Sequence, residues 1–196
     1  MKKKCLLFIS FFIVLVFWTS TAISALVYFK YEGKPVTEIT VGPCQEFTLE
    51  LWIDGVPTGH GGLPTWLVDI QIDPLVEYVE HAPLTYPYSV TKIDPYSAQE
   101  PAIAFYGWDI SWEPPDGSFQ LASITFHCLA PGITHIIPME HFGLAAGDFV
   151  MGDDYLLDNE LTFQGVKVTQ TPIPTTLLLL GSGIIGVIGL RRKTQG

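Results

Sequence analysis

The sequence predicts an all-β fold: a single β-sandwich over residues 26–170, set between two apolar terminal segments. Three observations carry that prediction. Apolar and polar residues alternate along Phe47–Ile53 and Trp66–Ile72, the period of a half-buried strand rather than of a helix. Turn signals punctuate the chain at Asp54-Gly55, Asp73-Pro74, Pro114-Pro115-Asp116-Gly117 and Pro131-Gly132. Outside the two terminal runs, no window sustains a 3.6-residue apolar period.

The chain opens with Lys2, Lys3 and Lys4, an apolar run from Cys5 to Trp18, and small residues around Thr21–Ala25. That order is the form of a secretory signal peptide, residues 1–25, with cleavage expected after Ser24 or Ala25. Cys5 lies too early to be a lipidation site.

In Phe47–Ile53 the odd positions Phe47, Leu49, Leu51 and Ile53 form the core face, and Thr48, Glu50 and Trp52 the other. A loop over Val56–Pro64 contains Gly59, Gly61 and Gly62. In the next strand Trp66, Val68, Ile70 and Ile72 are expected inward, with Asp69 and Gln71 outward, and Leu75–Val79 resumes an apolar stretch. From His81 to Pro101 the spaced prolines favour irregular or polyproline-like backbone. Strands follow at Ile103–Ile110, with Ala104, Tyr106, Trp108 and Ile110 on one side, at Phe119–Cys128, and at Ile133–Ile137. Leu161–Phe163 and Val166–Val168 are the last strands, with Gly165 read as a bulge between them. Short strands with turns between them indicate a β-sandwich.

All twenty acidic residues lie between Ala25 and Thr171, with only Lys30, Lys34, Lys92 and Lys167 to offset them, so this part carries −16 against −10 for the whole chain. That balance excludes a nucleic-acid binder, which needs clustered Lys and Arg. It also argues against docking on anionic lipid. Cations, neutral polysaccharide or other proteins remain as partners, beside the plain reading that the charge keeps the domain soluble.

Cys44 and Cys128 are an even pair in an oxidising compartment, hence a disulfide candidate; two buried free thiols are the other reading. No zinc spacing is present. Asp148, Asp153, Asp154 and Asp158 gather in one acidic segment and are candidate calcium ligands, although the spacing is not that of an EF-hand; a solvated acidic loop is the plain alternative. No other cofactor is expected. Trp52, Trp108 and Trp112 are candidate ligand-stacking residues, against the reading that they fill a second core face. His60, His81, His127, His135 and His141 are scattered and no serine stands in a G-x-S-x-G elbow, so no catalytic set is expected.

The C-terminal segment, residues 171–196, has three parts in order: Pro172-Ile173-Pro174, an apolar run from Leu177 to Leu190 with four glycines, and the basic cluster Arg191, Arg192 and Lys193. The run is shorter than the ~20 residues of an ordinary spanning helix, and snorkelling by the basic cluster and bilayer thinning could close the gap. Over Thr171–Lys193 this tail resembles a PEP-CTERM sorting signal, with Ile173 where that family has glutamate and Arg191, Arg192 and Lys193 as the membrane stop. The resemblance implies an exosortase-type processing enzyme as partner, at least transient inner-membrane anchoring through the C-terminal helix, and delivery to the cell surface or extracellular matrix of a Gram-negative bacterium. An ordinary anchor that is never cut is the alternative.

A second resemblance spans Leu26–Gln170, carried by Val41-Gly42, Trp52-Ile53-Asp54, Val68–Pro74 and Leu121–Phe126. These runs resemble a cohesin-type or carbohydrate-binding-module-like domain. Such domains are jelly-roll β-sandwiches that bind a protein partner or polysaccharide. Together the readings describe an exported, non-catalytic binding or structural domain associated with exopolysaccharide or biofilm. A specific adhesion module is the runner-up and a periplasmic hydrolase the third.

Overall fold

A half-buried strand needs a second layer over its apolar face, and here two sheets cover each other. The computed structural model describes residues 24–82, 84–85, 87–93, 102–111, 113–141 and 148–172. In chain order the strands are β1 (Ala25–Tyr31), β2 (Lys34–Pro35), β3 (Glu38–Val41), β4 (Glu46–Val56), β5 (Thr65–Ile72), β6 (Val76–His81), β7 (Leu84–Thr85), β8 (Tyr88–Ile93), β9 (Ala102–Asp109), β10 (Gly117–Cys128), β11 (Gly132–Glu140), β12 (Phe149–Val150), β13 (Leu161–Phe163) and β14 (Val166–Gln170). A single 3₁₀ turn, Asp158–Glu160, precedes β13. The first sheet runs β13-β1-β4-β10-β6 with β2 beside β1; the second runs β3-β14-β11-β5-β9-β8-β7 with β12 beside β5.

Alternation sets the core. On β4, Phe47, Leu49, Leu51 and Ile53 are buried, and on β5 Trp66, Val68, Ile70 and Ile72 face them from the other sheet. From β10, Leu121, Ile124, Phe126 and Cys128 enter the same core, and the Phe126 ring stacks on Phe47 at 5.7 Å. Each large side chain removed from water in this way contributes about 1.5–3 kcal/mol.

The ends of the chain close the sandwich. β1 pairs in parallel with β13 and β3 pairs in parallel with β14, so early and late strands share both sheets. Gly165 is therefore not a bulge in one ladder: it links β13 in the first sheet to β14 in the second. The link also passes close to Ile136, whose carbonyl oxygen would lie 3.0 Å from an added Cβ.

The region from His81 to Pro101 is more regular than its prolines imply. It contains β7 and the six-residue β8, which pairs with β9 over Tyr88–Ile93. Tyr88 is fully buried, packs edge-on against Trp66, and donates its hydroxyl to the Leu63 carbonyl at 2.6 Å. Burial pushes the Tyr88 phenol pKa upward, with the Asp109 charge adding to it. Ala25 is buried in register with Leu161, so the first core residue lies at the expected cleavage junction. Residues 1–23 of the expected signal peptide, the apolar tail, Ile173, Pro174, Arg191, Arg192, Lys193 and Trp112 lie outside the described residues.

Candidate functional site

Residues directly opposite in a ladder project from the same face, so register defines the outer surface of the second sheet. Across β5 and β9, Thr65 is paired with Trp108, Leu67 with Tyr106 and Asp69 with Ala104. On β8, Ser89 lies beside Trp108 and Thr91 beside Tyr106. From β11, Ile137 pairs with Gln71 and Met139 with Asp69, while Ile133 and His135 continue the same face beside β14. Thus β9 and β11 bring Tyr106, Trp108, Ile133 and Ile137 onto one outer face. All four are exposed, Trp108 at 51% and Ile133 at 56%. Ile110 is exposed just beyond the end of β9. Tyr106 and Trp108 on β9 form one exposed pair and Ile133 and Ile137 on β11 another, with β5 between them.

Toward the middle of that face the surface is closed. Leu67, Asp69 and Ala104 are buried although they point away from the core, and His141 and Asp148 are buried with them. Asp69 Oδ1 and His141 Nδ1 lie 2.7 Å apart, with side chains 3% and 0% exposed. His141 Nε2 and both carboxylate oxygens of Asp148 have no protein hydrogen-bond partner. Burial pushes the Asp148 carboxyl up to about 6; the Asp158 and Glu140 charges add to this, and His141 opposes it. A histidine–carboxylate pair is an element of hydrolytic sites, but this one is sealed from solvent and no nucleophile is bonded to its free nitrogen.

The outer face of the first sheet is different. Tyr28 pairs with Trp52, and the Lys30 ammonium sits 3.2 Å from the centre of a Trp52 ring. Trp52 Nε1 donates to Glu50 at 2.9 Å. Trp52 does point away from the core, as the alternation predicts, but Lys30 already covers a ring face that a ligand would need. A shallow concavity of about 500 Å³ lies nearby, its rim carrying Glu32, Glu46, Glu50 and Glu80.

The four expected calcium ligands do not converge. Asp158 accepts the backbone N–H of Asp148 and of Phe149, at 3.1 and 2.8 Å. Asp153 pairs with His60 at 2.8 Å, and that bond holds its carboxyl below the ordinary range. Asp154 is exposed in a left-handed backbone conformation, while Asp148 is buried. Among the described residues no three His, Cys, Asp or Glu side chains come together as a metal requires. Local donors explain part of this: Asp158 and Asp153 are each drawn to a nearby backbone or side-chain group.

Cys44 and Cys128 are free thiols in the structure, the first exposed and the second buried, so the expected disulfide is absent from it. The fold nevertheless brings this part of the chain together, because the Cys128 N–H donates to the Gln45 carbonyl at 3.2 Å. Burial raises the Cys128 thiol pKa and the neighbouring Cys44 adds to that. Of the expected sorting residues only Pro172 falls within the described part, exposed just beyond β14.

Sequence reasoning missed the Asp69–His141–Asp148 group. The unusual signal is Asp69, a carboxylate in a strand whose neighbours Leu67, Val68 and Ile70 are all apolar.

Comparison with protein-family models gives no match, and no curated protein sequence matches the chain. Solved structures do match. A type I cohesin–dockerin complex from Clostridium thermocellum aligns with a TM-score of 0.54 at 16% identity, over 76% of this chain and 99% of that one. The cohesin module of a family 33 glycoside hydrolase from Clostridium perfringens aligns with a TM-score of 0.55 at 11% identity, over 76% and 99%. The sixth cohesin of scaffoldin B from Acetivibrio cellulolyticus, in complex with a Cel5 dockerin mutant, gives 0.52 at 10%, again over 76% and 99%. Identities this low speak to the fold alone, and the chain has a cohesin-like β-sandwich fold.

Proposed function

We propose that this protein is an exported, non-catalytic binding module that docks a partner protein on the outer face of its second sheet. The observation that carries the reading is the exposed set Tyr106, Trp108, Ile133 and Ile137, held on one outer face by β9 and β11 on either side of β5. Fully formed sheets lose little conformational entropy on binding, so exposed aromatic and aliphatic side chains contribute most of their burial energy to a complex. The cohesin-like fold supports the reading by analogy, since two of the similar structures are complexes with dockerins.

The location part of the reading rests on the two ends of the chain. A basic and apolar leader with small residues before Ala25 supports export. The sequence of the tail, Pro172-Ile173-Pro174 then an apolar run then Arg191, Arg192 and Lys193, supports sorting by an exosortase-type enzyme, through a transient membrane anchor, into surface or matrix material rich in exopolysaccharide. Intact mass of the envelope and secreted forms tests this. Loss of the segment after Pro174 supports sorting, and a full tail found only in membranes means a plain anchor.

A photo-crosslinking amino acid at position 108, with position 54 on the other sheet as control, tests the docking face in the native cell. A protein adduct from 108 alone supports protein docking. One observation favours polysaccharide instead: Tyr106 and Trp108 are two residues apart on β9, so their rings are spaced by about 7 Å along the strand, suited to successive sugar rings. Retardation in polysaccharide gels, lost in Trp108→Ala, would establish that reading. Neither adduct nor retardation would refute both.

A further inference from the structure

Among the described residues, Asp148 is the buried side chain with two unpartnered polar atoms. It is 4% exposed, and neither carboxylate oxygen has a hydrogen-bond partner. The groups around it come from three elements. Asp69 on β5 is engaged with His141. Glu140 and His141 stand at the end of β11. Asp158 of the 3₁₀ turn binds the backbone N–H of Asp148 itself. The carboxyl thus feels two acidic side chains, Asp158 and Glu140, and a single imidazole, whose Nδ1 is committed to Asp69. The His141 backbone N–H and ring favour the charged form, but burial outweighs them, so an ionised carboxylate is costly in such a place, whereas a neutral carboxylic acid is tolerated.

The backbone at this point is structural. The Asp148 carbonyl accepts the Leu67 N–H at 2.8 Å, and Phe149 and Val150 then pair with Trp66 and Thr65 as β12. The Leu157 N–H returns to the Phe149 carbonyl at 3.0 Å. Expelling the Asp148 side chain therefore loosens β12 and the turn behind it, while the β4–β10 ladder shares no hydrogen bond with them.

We propose that Asp148 is a proton-operated latch: protonated, it holds β12 and the following turn against β5, and ionised, it leaves its buried seat and frees them. The direction follows from linkage. Asp148 in the latched state has its pKa raised to about 6, so the latch is fully stable below the ordinary carboxylate value and weakens as pH rises through about 6. The proposal is independent of the docking reading, since its test involves no partner.

Backbone amide exchange on the full-length protein gives the test, with rates corrected for the intrinsic effect of pH. Protection of the Leu67, Phe149 and Leu157 amides should be about tenfold lower at pH 7.5 than at pH 5, while amides of β4 and β10 keep theirs. Asp148→Asn, neutral at every pH, should abolish the difference. Equal protection at the two pH values, or a difference that survives in Asp148→Asn, would overturn the latch. Should that variant fail to fold, carbon-13 titration of the Asp148 carboxyl in the unaltered protein decides: a midpoint near 6 supports the latch, and one below 4.5 removes it.

Discussion

Gly107 is the most confined glycine of the second sheet, and replacing it with alanine tests the packing of the sandwich at one point. It pairs with Trp66 across β5 and β9. A Cβ on Gly107 would lie 2.1 Å from Trp66 Cε2, 2.3 Å from Nε1 and 2.4 Å from Cζ2. Ordinary carbon contacts are about 3.5–4.0 Å, so the indole would have to retreat by more than an ångström. It has nowhere to go: Trp66 is fully buried and Tyr88, anchored to Leu63, packs edge-on against it. Alanine's better strand conformation returns only about 0.5–1 kcal/mol relative to glycine. Overpacking costs about 1–3 kcal/mol, so the net effect is a loss of about 1–1.5 kcal/mol. For a domain of this size each kcal/mol is about 2–4 °C, which puts Gly107→Ala roughly 2–6 °C below the parent in melting temperature. Circular dichroism melts measure it, and a double-mutant cycle identifies the cause. In a Trp66→Leu background the indole is gone and Gly107→Ala should cost less than half as much. An unchanged melting temperature, or a penalty equal in both backgrounds, would refute the packing argument.

Other outcomes follow from the same structure. Substituting Trp108 or Ile137 by alanine should change stability by no more than about 0.5 kcal/mol in urea melts, because both are exposed; a larger loss would mean that their face is covered. The hydrogen bond to Glu77 raises the His127 pKa, so stability from this pair is fully present below the ordinary histidine value and fades as pH rises through the raised one. Proton NMR should show His127 titrating at lower pH in Glu77→Gln, and no movement would discard the pairing. Treating the folded protein with a disulfide oxidant should couple Cys44 to Cys128, with loss of two hydrogens in the intact mass and a higher melting temperature. The chain-entropy value for so long a loop is about 4–5 kcal/mol, and free thiols persisting after oxidation would show that the two sulfurs cannot meet.

The strands with one wet and one dry face were legible in the sequence, because alternation along Phe47–Ile53 and Trp66–Ile72 reports burial directly. β8 was not. Its boundaries fall between prolines, and Pro87 stands just before the strand, where a missing N–H costs no ladder bond. β1 was hidden for another reason: Ala25, Leu26, Val27 and Phe29 extend the apolar character of the leader, so composition changes little where the domain begins. The outward direction of Trp52 could be read from its own strand. That Lys30 covers it depends on the register between β1 and β4. The Asp69–His141 pair joins residues 72 positions apart, and nothing local to either announces the other.

The parallel pairing of β14 with β3 has a mechanical consequence. Thr171 donates its N–H to the Val41 carbonyl, so the chain leaves the second sheet with β14 held between β3 on one side and β11 on the other. A pull on the C-terminal end acts along the strand and loads the rungs to both neighbours together, in shear, instead of opening them one at a time like a zip. The last of these bonds precedes Pro172, so severing the chain after Pro174 would remove a tether and leave every rung in place. The same strand can therefore bear load while attached and remain folded once released.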